Sequence, residues 1–242
     1  MDEITQRRFS IHNRSRAAPS HAMTEAKRVL VLDCGSITNP DATADMAALT
    51  AAMGAATTED AKRGMDAAWR SARANADMDA TRYWTTALTE AGSSVTPAAV
   101  DACERCVHTV LSTKFDDTLD TAKKLKASGV LVGIISNHVT SPPWFQVCAQ
   151  SAALYELASD PSLVVVSQVA GVAKPDPGIY NLFHDRLRQK FGDIPASSLW
   201  FVDDKAKNVD AARALGWNGC VFNATTTMGG LLPELAAAGL SA

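Results

Sequence analysis

Four short apolar runs constrain this chain more than any other feature. They are Arg28-Val-Leu-Val-Leu32, Val130–Ile135, Leu163–Val166 and Leu199–Val202, with a shorter fifth at Cys220–Phe222. None alternates apolar with polar. A strand with one wet face alternates, whereas a strand buried on both faces reads as an unbroken run. Helical patterns stand between or after the runs at roughly 116–127, 143–158, 176–190, 205–216 and 227–238. Strands alternating with helices predict an α/β fold: a doubly wound, Rossmann-like parallel sheet covered by helices on both faces.

The rhythm breaks between the first run and the second. Residues 41–113 are rich in Ala, Met, Glu and Arg and contain no strand pattern. The spacing predicts helices over about 42–53, 58–74, 78–91 and 96–112, with Gly92-Ser-Ser before the last and Pro97 just inside its start. The expected organisation is a core of 27–40 plus 114–242, interrupted by an all-helical insertion at 41–113. Residues 1–26 carry Arg7, Arg8, Arg14 and Arg16 among serines and small residues, without apolar period. They read as a disordered N-terminal extension. Their Arg and Ser content also fits a cleaved organelle-targeting peptide, against which Asp2 and Glu3 weigh.

Composition narrows the function. At 242 residues the chain can hold one large domain with a sizeable insertion. A 47% apolar and 20% charged composition excludes a collagen-like or wholly disordered chain. A net charge of -3 argues against a general nucleic-acid or anionic-membrane binder. Five cysteines, an odd number, do not make a secreted disulfide framework, so reduced thiols and a cytoplasmic setting are expected. The expected partner is a small molecule, with no nucleic acid and no membrane, on a monomer or homodimer.

In open parallel sheets, ligands bind beyond the carboxyl ends of the strands. Those ends carry Asp33-Cys34-Gly35-Ser36, Ser136-Asn137-His138, Gly171-Val-Ala-Lys174-Pro-Asp176-Pro and Asp203-Asp204, with Asn208 close behind. Singly, each has a bland reading: an Asp after a strand usually makes a turn or caps a helix. Together they bring three acids, a hydroxyl and a lysine to one edge. Clustered carboxylates repel, and a hard cation such as Mg²⁺ relieves the repulsion through oxygen ligands. A lysine offers a point charge to a phosphoryl group or a carboxylate. A carboxylate on a rigid strand tip can attack phosphorus once a metal neutralises the incoming anion.

The motifs Val-Leu-Asp33-Cys-Gly-Ser-Ile, Ile-Ser136-Asn, Gly-Val-Ala-Lys174-Pro-Asp-Pro-Gly-Ile-Tyr and Phe-Val-Asp203-Asp204 followed by Asn208-Val-Asp-Ala-Ala-Arg-Ala-Leu-Gly-Trp resemble the haloacid dehalogenase-like hydrolase superfamily over roughly 28–223. The helical insertion is similar to that family's cap. The resemblance implies a Mg²⁺-dependent phosphatase acting on a small phosphate monoester, a sugar phosphate among the candidates. It implies Asp33 as nucleophile and metal ligand, the Gly35 carbonyl as a second ligand, and Asp204 as the main acidic ligand. Asp203 is implied in the metal shell, and Asn208 in support of the shell or the lysine. Ser136, Asn137, Gly35 and Lys174 are implied to bind substrate. Ser136 and Lys174 are also implied to be catalytic, Lys174 by neutralising Asp33 and the transferring phosphoryl.

One position departs from the pattern. Typical phosphatases of this family carry a second aspartate two residues after the nucleophile as general acid and base, and this chain has Gly35 there. Two alternatives follow: a metal-independent 2-haloacid dehalogenase, and a non-catalytic phosphate-binding scaffold. The paired acids Asp203 and Asp204 favour a metal enzyme. Weaker features are Cys34, read as a small buried hydrophobe, and Cys103-Glu-Arg-Cys106, whose CxxC spacing lacks a second ligand pair for zinc. His138 could line the pocket. Tyr83 and Trp84 read as packing residues, with Arg70, Arg73 and Arg82 as candidate substrate contacts.

Overall fold

The computed structural model describes residues 27–34, 46–111, 116–137, 156–222 and positions 233, 235–237 and 240. The N-terminal extension 1–26, Gly35, His138 and most of the two helices read at 143–158 and 227–238 lie outside the described residues.

β1 (Val29–Leu32) explains why the strand runs are unbroken. Its four side chains are fully buried, but on opposite faces: Leu30 and Leu32 join one apolar cluster, Val29 and Val31 another. The same division holds in β2 (Leu131–Ser136), where Val132 and Ile134 go one way and Ile135 the other. With both faces dry, every position must be apolar. β3 (Val164–Val166), β4 (Leu199–Asp203) and β5 (Asn218–Val221) complete a wholly parallel sheet of order β3-β2-β1-β4-β5. Leu163 belongs to a short 3-10 turn, Pro161–Leu163, because the Asp160 side chain accepts from the Ser162 amide and closes that turn before the strand begins.

The first four described helices after β1 are α1 (Met46–Met53), α2 (Thr58–Ala72), α3 (Ala80–Glu90) and α4 (Pro97–Leu111), close to the ranges read from spacing. Local chemistry sets their starts. Thr57 caps α2 by accepting from the Asp60 amide, and Asp79 caps α3 by accepting from the Arg82 amide. Leu49, Met53, Tyr83, Trp84, Leu88, Cys103 and their neighbours form a cluster that shares no residue with the two on the sheet.

Beyond these, α5 (Asp116–Ala127) lends Leu119, Ala122 and Leu125 to one sheet face. The four-residue α6 (Ser167–Ala170) follows β3 directly. α7 (Pro177–Phe191) and α8 (Ala206–Ala214) cover the other face with Ile179, Tyr180, Phe183, Leu187, Val209 and Ala212. Strand order runs outward from β1 through β2 to β3, then returns to β4 on β1's other side. The reversal puts the topological switch point between β1 and β4, where open α/β sheets bind ligands.

Candidate active site

Asp33 follows β1, and its amide donates to the Val202 carbonyl at 2.8 Å, extending the β1–β4 pairing by one residue. Asp203 ends β4, so the two acids sit side by side at the switch point. Ser136 ends β2 one strand over, opposite Val166 of β3. Lys174 reaches the same edge from the connection between α6 and α7. Asp176, two residues on, caps α7 by accepting from the Gly178 amide at 2.8 Å. The Lys-Pro-Asp-Pro motif therefore does two jobs, one local and one at the site.

The Lys174 side chain is 1% exposed. Its ammonium donates to Asp33 Oδ1, to Asp203 Oδ2 at 2.6 Å and to the Ile135 carbonyl at 2.8 Å. It also lies 5.2 Å from the centroid of the Phe201 ring. Desolvation, the largest single influence, pushes the lysine toward its neutral form. The summed attraction of Asp33 and Asp203 outweighs it, so the pKa rises above the ordinary lysine value and the charge is kept.

Asp203 is wholly buried and its carboxylate is fully engaged. Oδ1 accepts from the Lys205 amide at 2.8 Å and from Asn208 Nδ2 at 2.9 Å; Oδ2 accepts from Lys174 and again from Asn208 Nδ2 at 2.9 Å. It closes the turn before α8 and also accepts from the lysine. Tyr180 adds a support not anticipated from sequence. Its hydroxyl donates to the Asn208 carbonyl at 2.8 Å, and burial, followed by the charges of Asp203 and Asp33, pushes its pKa up and keeps it protonated. It was legible only as the last residue of the Lys174 motif.

Asn137, expected to bind substrate, has its carboxamide on the Lys174 main chain. Its Nδ2 donates to the Lys174 carbonyl and its Oδ1 accepts from the Lys174 amide, both at 2.8 Å. Its carboxamide clamps the main chain that presents the lysine. Ser136 is 4% exposed. Gly35 lies outside the described residues.

Ligand oxygens of Asp33, Asp203 and Asp204 all lie within 4.8 Å of one another. Three hard oxygen donors suit Mg²⁺, and the structure fits that ion best at Asp33 and Asp204, since Asp203 is already saturated. The Asp204 side chain is 45% exposed, with the Lys205 ammonium at 3.6 Å. Among the described residues, Cys103 and Cys106 belong to no such group. Cys103 is buried in the insertion's cluster, and burial foremost pushes its thiol up to about 12.

A family model described as haloacid dehalogenase-like hydrolase matches residues 18–216. The chain belongs to the haloacid dehalogenase-like hydrolases. Two relatives of this hydrolase point to different chemistries. It is 33% identical over 113 residues to an (S)-2-haloacid dehalogenase of Pseudomonas fluorescens, covering 46% of this chain and 44% of that one. It is 26% identical over 142 residues to a phosphatase of Mycobacterium tuberculosis, covering 58% and 61%. The match thus spans less than two thirds of the length of both relatives. Solved structures share the fold. A haloacid dehalogenase family enzyme of Bacteroides thetaiotaomicron, in complex with magnesium and inorganic phosphate, superposes with a TM-score of 0.62 at 18% identity, over 82% of this chain and 95% of that one. The L-2-haloacid dehalogenase of Xanthobacter autotrophicus, with chloropropionic acid covalently bound, gives 0.55 at 17% identity over 89% and 85%.

Proposed function

We propose that this hydrolase is a Mg²⁺-dependent phosphatase that cleaves a small phosphate monoester through an aspartyl-phosphate on Asp33. Charge crowding carries the reading: three carboxylates lie within 4.8 Å of one another, with one buried ammonium between two of them. Each pair of like charges at that separation costs about 3 kcal/mol at an effective dielectric near 20. Lys174 offsets Asp33 and Asp203, and Asp204 is left for a cation. The matched phosphatase and the magnesium–phosphate complex of a structural neighbour support the same reading.

Bound by Asp33 and Asp204, with the Gly35 carbonyl implied as a further ligand, Mg²⁺ would supply positive charge to the transferring phosphoryl oxygens. The protein's own groups do the rest. Lys174 holds Asp33 in its attacking orientation through the ammonium–carboxylate contact. An Asp33 oxygen attacks phosphorus, the bond to the ester oxygen breaks, and that oxygen leaves with the electron pair and takes a proton from water. Ser136 has a hydroxyl to offer a phosphoryl oxygen. Water then attacks phosphorus of the acyl phosphate, releasing phosphate and restoring Asp33. No carboxyl at position 35 donates the leaving group's proton, a loss worth about 10²–10⁴ in rate for a poor leaving group. Substrates with good leaving groups, such as sugar 1-phosphates and acyl phosphates, should therefore be preferred over sugar 6-phosphates.

Phosphate release from that panel, with Mg²⁺ and with chelator, tests the reading. Wild type should turn over only with Mg²⁺, and Asp33→Asn should not turn over at all. Release unaffected by chelator, or retained by Asp33→Asn, would overturn it. The 33% identity to a haloacid dehalogenase favours a second reading, in which Asp33 attacks carbon and halide leaves without a metal. Halide release from a 2-haloacid in chelator would establish that one instead, and Asp204 would have no part in it.

A further inference from the structure

Gln168 is a buried polar side chain that the reaction above does not use. It is 1% exposed on the four-residue α6, and its Nε2 donates to the Met78 carbonyl at 2.6 Å, across 90 positions of sequence. The acceptor is a carbonyl, so the carboxamide can face it only with nitrogen. A buried carboxamide without such a partner would be costly.

Both ends of this bond are well placed. Gln168 stands two residues past Val166, which is in register with Ser136, so it lies at the edge that holds Ser136, Asp33 and Asp203. Met78 lies in the link 73–79 between α2 and α3, and that link is internally braced. The Met78 amide donates to the Asn75 carbonyl at 3.1 Å, and the Asp77 amide to Asn75 Oδ1 at 3.1 Å. Arg82 Nη1 donates to the Asp77 carbonyl at 3.3 Å, and the Arg82 amide to Asp79 at 2.7 Å. Fixing the Met78 carbonyl therefore fixes the whole link and the ends of both helices. The apolar cluster of α1–α4 shares no residue with the clusters on the sheet, so its packing does not by itself set where the helices sit over the edge.

We propose that Gln168 is a positioning residue that latches the 73–79 link, and with it α2 and α3, onto the substrate edge of the sheet. Holding that link down limits water entry and favours the substrate-competent arrangement. Only the kinetic arm of the test rests on the phosphatase reading.

The test compares Gln168→Met, which keeps bulk and loses the donor, with Gln168→Glu, which keeps shape and donates only when protonated. Amide hydrogen exchange in the intact chain is the primary measurement. In Gln168→Met, exchange at 73–79 should quicken roughly five- to tenfold, the loss of about one net hydrogen bond, while β1, β2 and β4 stay as in wild type. In Gln168→Glu, exchange corrected for intrinsic rate should match wild type at low pH and exceed it once the carboxyl ionises. For a sugar 1-phosphate, KM of Gln168→Met should rise roughly fivefold, with kcat changing less. Link exchange unchanged in both variants, or quickened equally in link and sheet, would overturn the latch. Should the protein release no phosphate, the exchange measurement still decides, so the two readings fail separately.

Discussion

Lys174 is the residue on which the site's electrostatics turn. Two buried or nearly buried carboxylates share its ammonium, and no solvent is available to replace it. Lys174→Met should strand the fully buried Asp203 charge and lower unfolding free energy by about 3–5 kcal/mol, read from urea denaturation. It should abolish turnover as well. Asp160 governs a different condition. Hydrogen bonds from Lys190, then from the Ser162 hydroxyl and amide, lower its pKa to about 2. A depressed carboxyl contributes stability that is present above its unfolded value, about 3.9, and lost as pH falls through the folded one. Between about pH 4 and pH 2 wild type should therefore lose more stability than Asp160→Asn, a difference measurable by thermal melts across that window.

Close approach rather than capping sets the pairing of α2 with α3. Gly64 of α2 faces the main chain of α3: a Cβ built there would stand 2.2 Å from the Ala87 carbonyl oxygen. Backbone cannot step aside as a side chain can. Gly64→Ala should cost about 1–3 kcal/mol despite alanine's better helix propensity, and lower Tm accordingly. The same helical group keeps its CxxC pair inert on the Cys103 side. That thiol, pushed up to about 12 and buried, should resist alkylation at neutral pH until the chain unfolds. Helix positions were legible because caps are local: Thr57, Asp79 and Asp176 each bond an amide two or three residues away. α6 was not legible. Four residues leave no period to read, and its Ser167 and Gln168 are buried by neighbours distant in sequence.

Across the whole molecule, an acidic edge and a separately packed helical group meet at one end of a parallel sheet. No helix among the described residues is long and apolar enough to cross a membrane. Ligand binding at the edge should stabilise the fold by mass action, since the unfolded chain cannot gather Asp33 and Asp204. Mg²⁺ at about 100 times its Kd should add about 2.7 kcal/mol, seen as a saturable rise in Tm. Asp204→Asn should shrink that rise, while a matched concentration of Na⁺ should not reproduce it.

By itself the sequence determined the class of fold, the order of its elements and the chemical types at the strand ends. Each of these follows from local rules: period for strands and helices, caps for helix starts, and the tendency of parallel strands to place loops at one edge. Which of those residues touch, and through which atoms, was decided only by the tertiary structure. Nothing in the sequence around Asp203 shows that its carboxylate accepts four hydrogen bonds, one of them from Lys174. The pairing of the Asn137 carboxamide with the Lys174 main chain is likewise invisible in the sequence, 37 positions apart. Gln168 carries no signal at all, because its partner lies 90 residues away. Hydrogen bonds have direction and short range, and one-dimensional spacing encodes neither for groups that only folding brings together.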